Sequence, residues 1–337
     1  MHVVAAPDKF RGTATAPEVA AVIAEAVDAL GGTCTQLPLA DGGEGTLEAF
    51  GGPNRSTEVT GPLGLPVQAD WRLDAGGRAV VEMARASGLA LAGGREGNDP
   101  LAATTRGSGE LIAAAIRSGA RRVIVGLGGS ATTDGGAGAL EVLADLAPLN
   151  GPGAVAEVVV CCDVLTPFTE ASRVFGPQKG ATPSQVEELT RRLERLQGAY
   201  LDRFGVDLAQ LPGAGAAGGL AGGLAALGAQ LVPGFSVIAE EAGLRDALAH
   251  ADLVVTGEGL LDAGSFDGKV VGGVAANAAE FGVPVLAVVG AIDADARDRI
   301  RAVSLLEQFG ETAAMQSTTD CIRLAVAKHL TDRMDLP

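Results

Sequence analysis

Three features of the sequence predict an α/β fold with largely parallel strands. Short apolar runs alternate with Ala-rich or amphipathic segments of helical length. Loops combining Gly with Asp, Glu or Lys stand at the ends of those runs, and helix-capping signals follow several of them. At 337 residues the chain has room for two domains, each with its own core.

The first unit reads as a strand at 2–6, the loop Pro7-Asp8-Lys9-Phe10-Arg11-Gly12, and a helix from about 16 to 30. Thr15 and Glu18 form a capping box there, with Pro17 in the first turn. A strand at 34–39 leads into Ala40-Asp41-Gly42-Gly43-Glu44-Gly45-Thr46. Residues 55–60, 66–73 and 78–82 read as a meander of short strands joined by Gly-containing turns. A helix near 108–118, a strand at 121–125 and the Gly-rich segment 126–136 come next, and a strand at 157–162 ends at Asp163. The helix 183–204 opens on a second box, Thr182 with Gln185. A strand at 252–256 runs into the loop Gly257-Glu258-Gly259-Leu260-Leu261-Asp262, followed by a helix at 270–281 and a strand at 283–289.

A formal net charge of −16 argues against a nucleic-acid partner, which selects basic patches. No charged and apolar leader opens the chain, and no apolar run approaches the roughly 18 residues of a membrane span. Cys34, Cys161, Cys162 and Cys321 have no metal or disulfide spacing, and three scattered histidines give no zinc or triad pattern. A cytoplasmic protein with no membrane partner is the expectation. Lysine is scarce, with four residues against twenty-one arginines, and Lys9, Lys179 and Lys269 all sit in Gly-rich loops. Lysine acts on phosphate as a compact mobile charge, so this placement points to phosphoryl chemistry.

Several strand ends open into such loops, the edge at which parallel α/β sheets bind ligands. Phosphoryl transfer needs cations on the phosphates, carboxylates for Mg²⁺ and a group to orient the attacking hydroxyl. Lys9, Arg11, Lys179 and Lys269 meet the first need. Asp8, Asp41, Glu44, Asp134, Asp163, Glu258 and Asp262 meet the others. There is no GxxxxGK[ST] and no kinase HRD or DFG set. Gly213-Ala214-Gly215-Ala216-Ala217-Gly218 matches GxGxxG, but it follows Leu211-Pro212 rather than an apolar strand. Close packing of small residues and a phosphate-binding helix start are the two readings of this stretch, ahead of a dinucleotide site.

APDKFRGT (6–13), LPLADGGEGT (37–46), VGLGGSATTDGGAG (125–138), VFGPQKGAT (174–182) and TGEGLLDAGSFDGK (256–269) together resemble the bacterial class I glycerate kinases. The resemblance runs from residue 1 to about 290. It implies ATP-dependent, Mg²⁺-assisted phosphorylation of D-glycerate to 2-phosphoglycerate. It also implies two α/β domains, one flavodoxin-like and one restriction-endonuclease-like, with the active site in the cleft between them. Residues 1–62 plus 250–337 are expected to form one domain and 63–249 the other, and a homodimer is allowed for. The residues alone are compatible with transfer to the 3-hydroxyl, and a non-catalytic sensor that binds glycerate or nucleotide is the alternative class.

The expected catalytic set is Asp41, Asp163, Lys179 and Asp262, with Asp163 and Glu258 on the metal. Asp8, Lys9, Arg11, Glu44, Gly128, Gly129, Ser130, Gly213, Gly215 and Lys269 are expected to bind substrate or phosphate. Asp163 is included because an acid closing a buried strand is costly without a partner. Asp134 serves equally as a helix cap. The chain departs from the family where Lys9 replaces the usual serine, Arg11 the usual lysine and Thr133 the usual asparagine, and it is shorter between 134 and 163 and at its C-terminus.

Overall fold

The computed structural model describes residues 1–334. Its strands are β1 (His2–Ala5), β2 (Thr33–Gln36), β3 (Arg55–Thr60), β4 (Pro66–Leu73), β5 (Arg78–Glu82), β6 (Arg122–Gly126), β7 (Glu157–Cys161), β8 (Gln230–Val232), β9 (Leu253–Leu261), β10 (Val285–Ile292) and β11 (Ala302–Ser304). The helices that matter here are α1 (Ala16–Asp28), α2 (Arg106–Arg117), α3 (Pro183–Phe204), α4 (Val270–Phe281) and α5 (Thr318–Met334). Both capping boxes form: Thr15 and Glu18 open α1, and Thr182 and Gln185 open α3. No described helix is long and apolar enough to cross a membrane.

The chain divides into two compact units, each α/β. The first holds Met1–Asp41, Glu48–Gly51 and the chain from Gly234 onward; the second holds Gly42–Leu47 and Gly52–Pro233. The expected boundaries at 62 and 250 fall elsewhere for identifiable reasons. β3 pairs along its whole length with β4, which draws residues 55–60 into the second unit. Phe235, Ile238, Leu244 and Leu248 pack with Val4, Val254 and Val274, which draws residues 234–249 into the first.

In the first unit five parallel strands lie in the order β11-β10-β9-β1-β2. Numbered within the unit this is 2-1-3-4-5, the flavodoxin-like order, whose winding reverses between β1 and β9. Alternation along β1 supplies both cores. Val3 and Ala5 face α1 and α5 through Val19, Ile23, Ile322 and Val326. Val4 and Ala6 face α4 and Phe235.

β9 runs five residues beyond the expected strand, so Glu258 stands on a strand instead of in a loop. The extension is paired: Gly257 lies opposite Val288, Glu258 opposite Val289 and Leu260 opposite Ala291. A Cβ on Gly257 would sit 2.1 Å from the Val288 carbonyl oxygen, and one on Gly290 would sit 2.3 Å from that of Gly259. Glycine is therefore what lets these two strands stay together past the expected end.

The second unit has a mixed sheet in the order β3-β4-β5-β6-β7-β8. β3, β4 and β5 form the antiparallel meander, and β5 through β8 run parallel. Trp71, Leu111, Ile112, Val123 and Phe168 belong to its core. Trp71 is fully buried, and its indole N–H donates to Thr57 Oγ1 at 2.9 Å. Trp71→Ala should cost about 3–5 kcal/mol, because it leaves both a cavity and an unpaired hydroxyl. Denaturant unfolding followed by circular dichroism measures this, and a loss below about 1 kcal/mol would show that the meander collapses around the gap.

Candidate active site

At the reversal point of the first unit, the chain leaving β1 crosses the carboxyl half of β9. The Asp8 N–H donates to the Gly257 carbonyl at 2.8 Å, which places the Asp8 side chain beside the Gly257-Glu258-Gly259 edge. Phe10 is buried in the core below, and its N–H donates to the Ala14 carbonyl, so the loop returns tightly towards α1. Asp8 Oδ1 accepts the Lys9 N–H at 2.7 Å, and the Lys9 ammonium lies 3.5 Å away. Asp8 and Glu258 are 7% and 9% exposed, and Glu258 Oε1 has no hydrogen-bond partner.

Burial pushes the Asp8 carboxyl from its ordinary 3.8 up to about 6; Lys9 opposes the rise and Asp41 adds to it. Burial likewise pushes Glu258 from 4.5 to about 7. A bond from Ser265 and the charge of Lys269 oppose this second rise, while the charges of Asp8 and Asp262 reinforce it. Asp8, Lys9, Asp41, Glu258, Asp262 and Lys269 are thus gathered in one electrostatic neighbourhood.

Asp262 is half-buried and already engaged: it accepts the Ser265 N–H at 2.9 Å and caps the turn Ala263–Phe266. Lys269 stands at the start of α4, as expected, in the N-cap position. Arg11 is exposed. A hard cation fits this neighbourhood, since Glu258 Oε1 is a buried oxygen donor without a hydrogen-bond partner and the buried Asp8 carboxylate lies close enough to act on it. Among the described residues no three His, Cys, Asp or Glu converge on one point. Mg²⁺ accepts such a setting, because it is commonly held by one or two carboxylates with water and phosphate completing the shell.

In the second unit the loop after β6 lies against the Gly42–Thr46 loop. Leu127 N–H donates to the Gly42 carbonyl at 3.1 Å, and a Cβ on Gly128 would meet the Glu44 nitrogen at 2.9 Å. Glu44, Gly128, Gly129 and Ser130 come together there, all of them exposed or half-exposed. Glu82, which sequence reading passed over, accepts the Leu47 N–H at 3.0 Å and holds Arg85 at 3.3 Å. The available signal was an acid closing the apolar run Ala79-Val80-Val81.

Three expectations in this unit change. Lys179 is 3% exposed and turned inward, with its ammonium donating to the Thr132 carbonyl at 2.6 Å. Burial lowers its pKa to about 7, against the pull of Asp134. Asp163 is exposed, because β7 ends at Cys161, so the argument from a buried charge does not apply to it. Gly213 and Gly215 are packing positions: a Cβ there would come within 2.7 Å of Cys162 Sγ and 2.3 Å of the Pro167 carbonyl oxygen. Asp134 both caps and cross-links, accepting the Thr105 N–H and hydroxyl at 2.8 Å each and the N–H groups of Gly136 and Gly138.

The sequence model of the Glycerate kinase family matches residues 3–147 and 142–334. The chain belongs to that family. Among relatives, the glycerate 2-kinase of Escherichia coli K12 is 39% identical over 95% of this chain and 91% of its own length. The glycerate kinase of Bacillus subtilis 168 is 39% identical, covering 88% of this chain and 86% of the relative. A crystal structure of a protein assigned as glycerate kinase 2 from Salmonella typhimurium LT2 superposes with a TM-score of 0.85. It has 35% identity and covers both chains completely.

The raised carboxyls at the reversal point make the metal-free protein pH-sensitive. Between about pH 4 and 7 the folded chain retains protons on Asp8 and Glu258 that the unfolded chain has released, so stability falls as pH rises. Glu258→Gln removes the Glu258 share of this penalty. In EDTA the variant should match the parent near pH 4 and exceed it near pH 8 by about 1–3 kcal/mol. Unfolding curves at the two pH values test this, and parallel stability profiles would refute it.

Proposed function

We propose that the protein transfers the γ-phosphoryl group of ATP to the 2-hydroxyl of D-glycerate, giving 2-phosphoglycerate and ADP. Membership of the glycerate kinase family carries the reaction class, and the name of the E. coli relative supports the 2-hydroxyl as acceptor. The observation in the chain itself that best supports it is the pair of buried carboxylates, Asp8 and Glu258, flanked by Lys9 and Lys269.

Asp8 and Glu258 are the residues we assign to Mg²⁺. When bound, Mg²⁺ supplies charge neutralisation on the phosphate oxygens and a template for ATP. Lys9 and Lys269 neutralise phosphate charge from the same neighbourhood. Lys269 also precedes the free N–H groups of the first turn of α4, where an anion offsets the helix dipole. In the transfer the 2-hydroxyl oxygen bonds to the γ-phosphorus, the bond from that phosphorus to the ADP oxygen breaks, and the hydroxyl proton passes to a carboxylate. Asp41, half-buried next to Asp8, is our choice for that carboxylate. The exposed backbone of Gly128, Gly129 and Ser130, with Glu44 beside it, suits recognition of a small hydroxy acid. Asp163 remains a candidate for orienting substrate, and Asp262 acts by shaping the turn that precedes Lys269. The cytoplasm, where ATP is available, is the proposed location.

Phosphorus NMR of a reaction containing ATP, Mg²⁺ and D-glycerate should show ADP and 2-phosphoglycerate. A 3-phosphoglycerate signal would overturn the regiochemistry, and the absence of any ADP would overturn the reaction. Lys269→Met should raise KM for ATP and lower kcat/KM by roughly 10²-fold, the scale of one lost preorganised charge. Unchanged steady-state constants would remove Lys269 from the phosphate site.

A further inference from the structure

The segment 131–138 is held from inside by side chains that reach the carbonyls of Ala131, Thr132 and Gly135. Asn98 Nδ2 donates to the Ala131 carbonyl at 3.1 Å and to the Lys179 carbonyl at 2.9 Å. Lys179 Nζ donates to the Thr132 carbonyl at 2.6 Å. The Tyr200 hydroxyl donates to the Gly135 carbonyl at 3.2 Å. Asp134 closes the far end through Thr105, Gly136 and Gly138.

Lys179 is itself fixed. It ends the 3₁₀ turn Pro177–Lys179, and the following Gly180 takes φ +92°. A Cβ on Gly180 would lie 2.4 Å from the Arg95 carbonyl oxygen, so the turn is pressed against that backbone. Its ammonium is buried, donates to the Thr132 carbonyl and lies within the electrostatic reach of the buried Asp134 carboxylate, so it is turned away from solvent. Immediately before the gripped segment, Gly128, Gly129 and Ser130 are accessible. They are anchored to the neighbouring backbone by the bridge between Gly88 and Ser130, in which the Leu89 N–H donates to the Gly129 carbonyl and the Ala131 N–H to the Ser87 carbonyl.

We propose that Lys179 and Asn98 form a clamp that sets the position of the accessible Gly128–Ser130 segment, and that Lys179 acts on the reaction through this segment rather than by touching phosphate. A buried ammonium that donates to a carbonyl fixes a backbone more rigidly than a hydrophobic side chain of equal length, because the donor specifies one acceptor. The assignment of Lys179 as a positioning residue rests on the phosphotransferase reading given above.

The test uses the full chain with Lys179→Met, Asn98→Ala and the double variant. Displacement of a substrate-holding segment by about 1 Å costs on the order of 10²-fold, so each single variant should lose roughly 10- to 100-fold in kcat. KM for ATP should move less than about 3-fold, since no direct phosphate contact is removed. The double variant should be no worse than the poorer single, because both changes release the same segment. In the ligand-free protein, amide exchange across 131–136 should quicken by roughly 10-fold or more in each single variant, with β6 unchanged.

A rise in KM for ATP of about 10-fold or more confined to Lys179→Met would identify a direct phosphate ligand and overturn the clamp. Multiplying losses in the double variant, or unaltered exchange in the segment, would overturn it equally. If Lys179→Met does not fold, Asn98→Ala decides alone: parental kcat and parental exchange refute the proposal. If the parent protein proves inactive on D-glycerate, the reaction assignment fails, while the exchange measurements still decide whether the clamp exists.

Discussion

The parallel pairing of β1 with β9 is the interaction on which the candidate chemistry depends. It joins residues about 250 positions apart, with the Asp252 carboxylate accepting the His2 N–H and the Thr256 hydroxyl donating to the Ala6 carbonyl. Closure over so long a span costs little more than closure over half of it, since the entropy grows only logarithmically with loop length. What the pairing provides is placement. The sheet winds outward in opposite directions from these two strands, so their carboxyl ends are left uncovered by a crossover. Asp8 follows one strand and Glu258 stands on the other, and the register between them brings two acids together that a folding chain would otherwise keep apart.

That arrangement works against stability. Burial raises the proton affinity of both carboxyls, the Asp8 charge adds to the rise at Glu258, whose Oε1 is unsatisfied, and the pair leaves the region short of positive charge. Lys9 and Lys269 supply only part of it. Buried groups in such conflict concentrate where a protein binds something, because the ligand completes what the fold leaves open. The second unit handles its buried charges differently. Asp134 is surrounded by donors, and the Lys179 ammonium donates to the Thr132 carbonyl within the attraction of Asp134, so both groups serve geometry.

Much of the fold was legible in the sequence, since strands buried on both faces and helices with capping boxes announce themselves locally. The limits of that legibility are local too. Glu258 read as a loop residue because Gly-Glu-Gly carries no strand signal; only the approach of β10, closer than any side chain would allow, makes it a strand. The scarce lysines pointed to Gly-rich loops, yet composition could not tell an ammonium facing solvent from one facing a carbonyl. Lys9 and Lys269 lie with the acids, whereas Lys179 lies in the interior. Asp163 looked buried because Cys161 and Cys162 precede it, but the strand ends two residues earlier. Glu82 was hidden by its apolar neighbours, although its partners, Leu47 and Arg85, are what make it matter.

The insertion of the second unit into the first has a consequence for the order of assembly during synthesis. β1, β2 and α1 leave the ribosome early, but β9, the central partner of β1, follows only after the whole of the second unit has been made. The inserted unit has every strand of its own sheet by Val232 and can close at once. The early strands must meanwhile wait with an apolar edge uncovered, in the state in which strands are most prone to pair with the wrong chain. The short length of β1 and the prompt return of α1 onto it limit how much of that edge is on offer. In a growing chain, the half of the protein that holds the acid pair is therefore the last to exist.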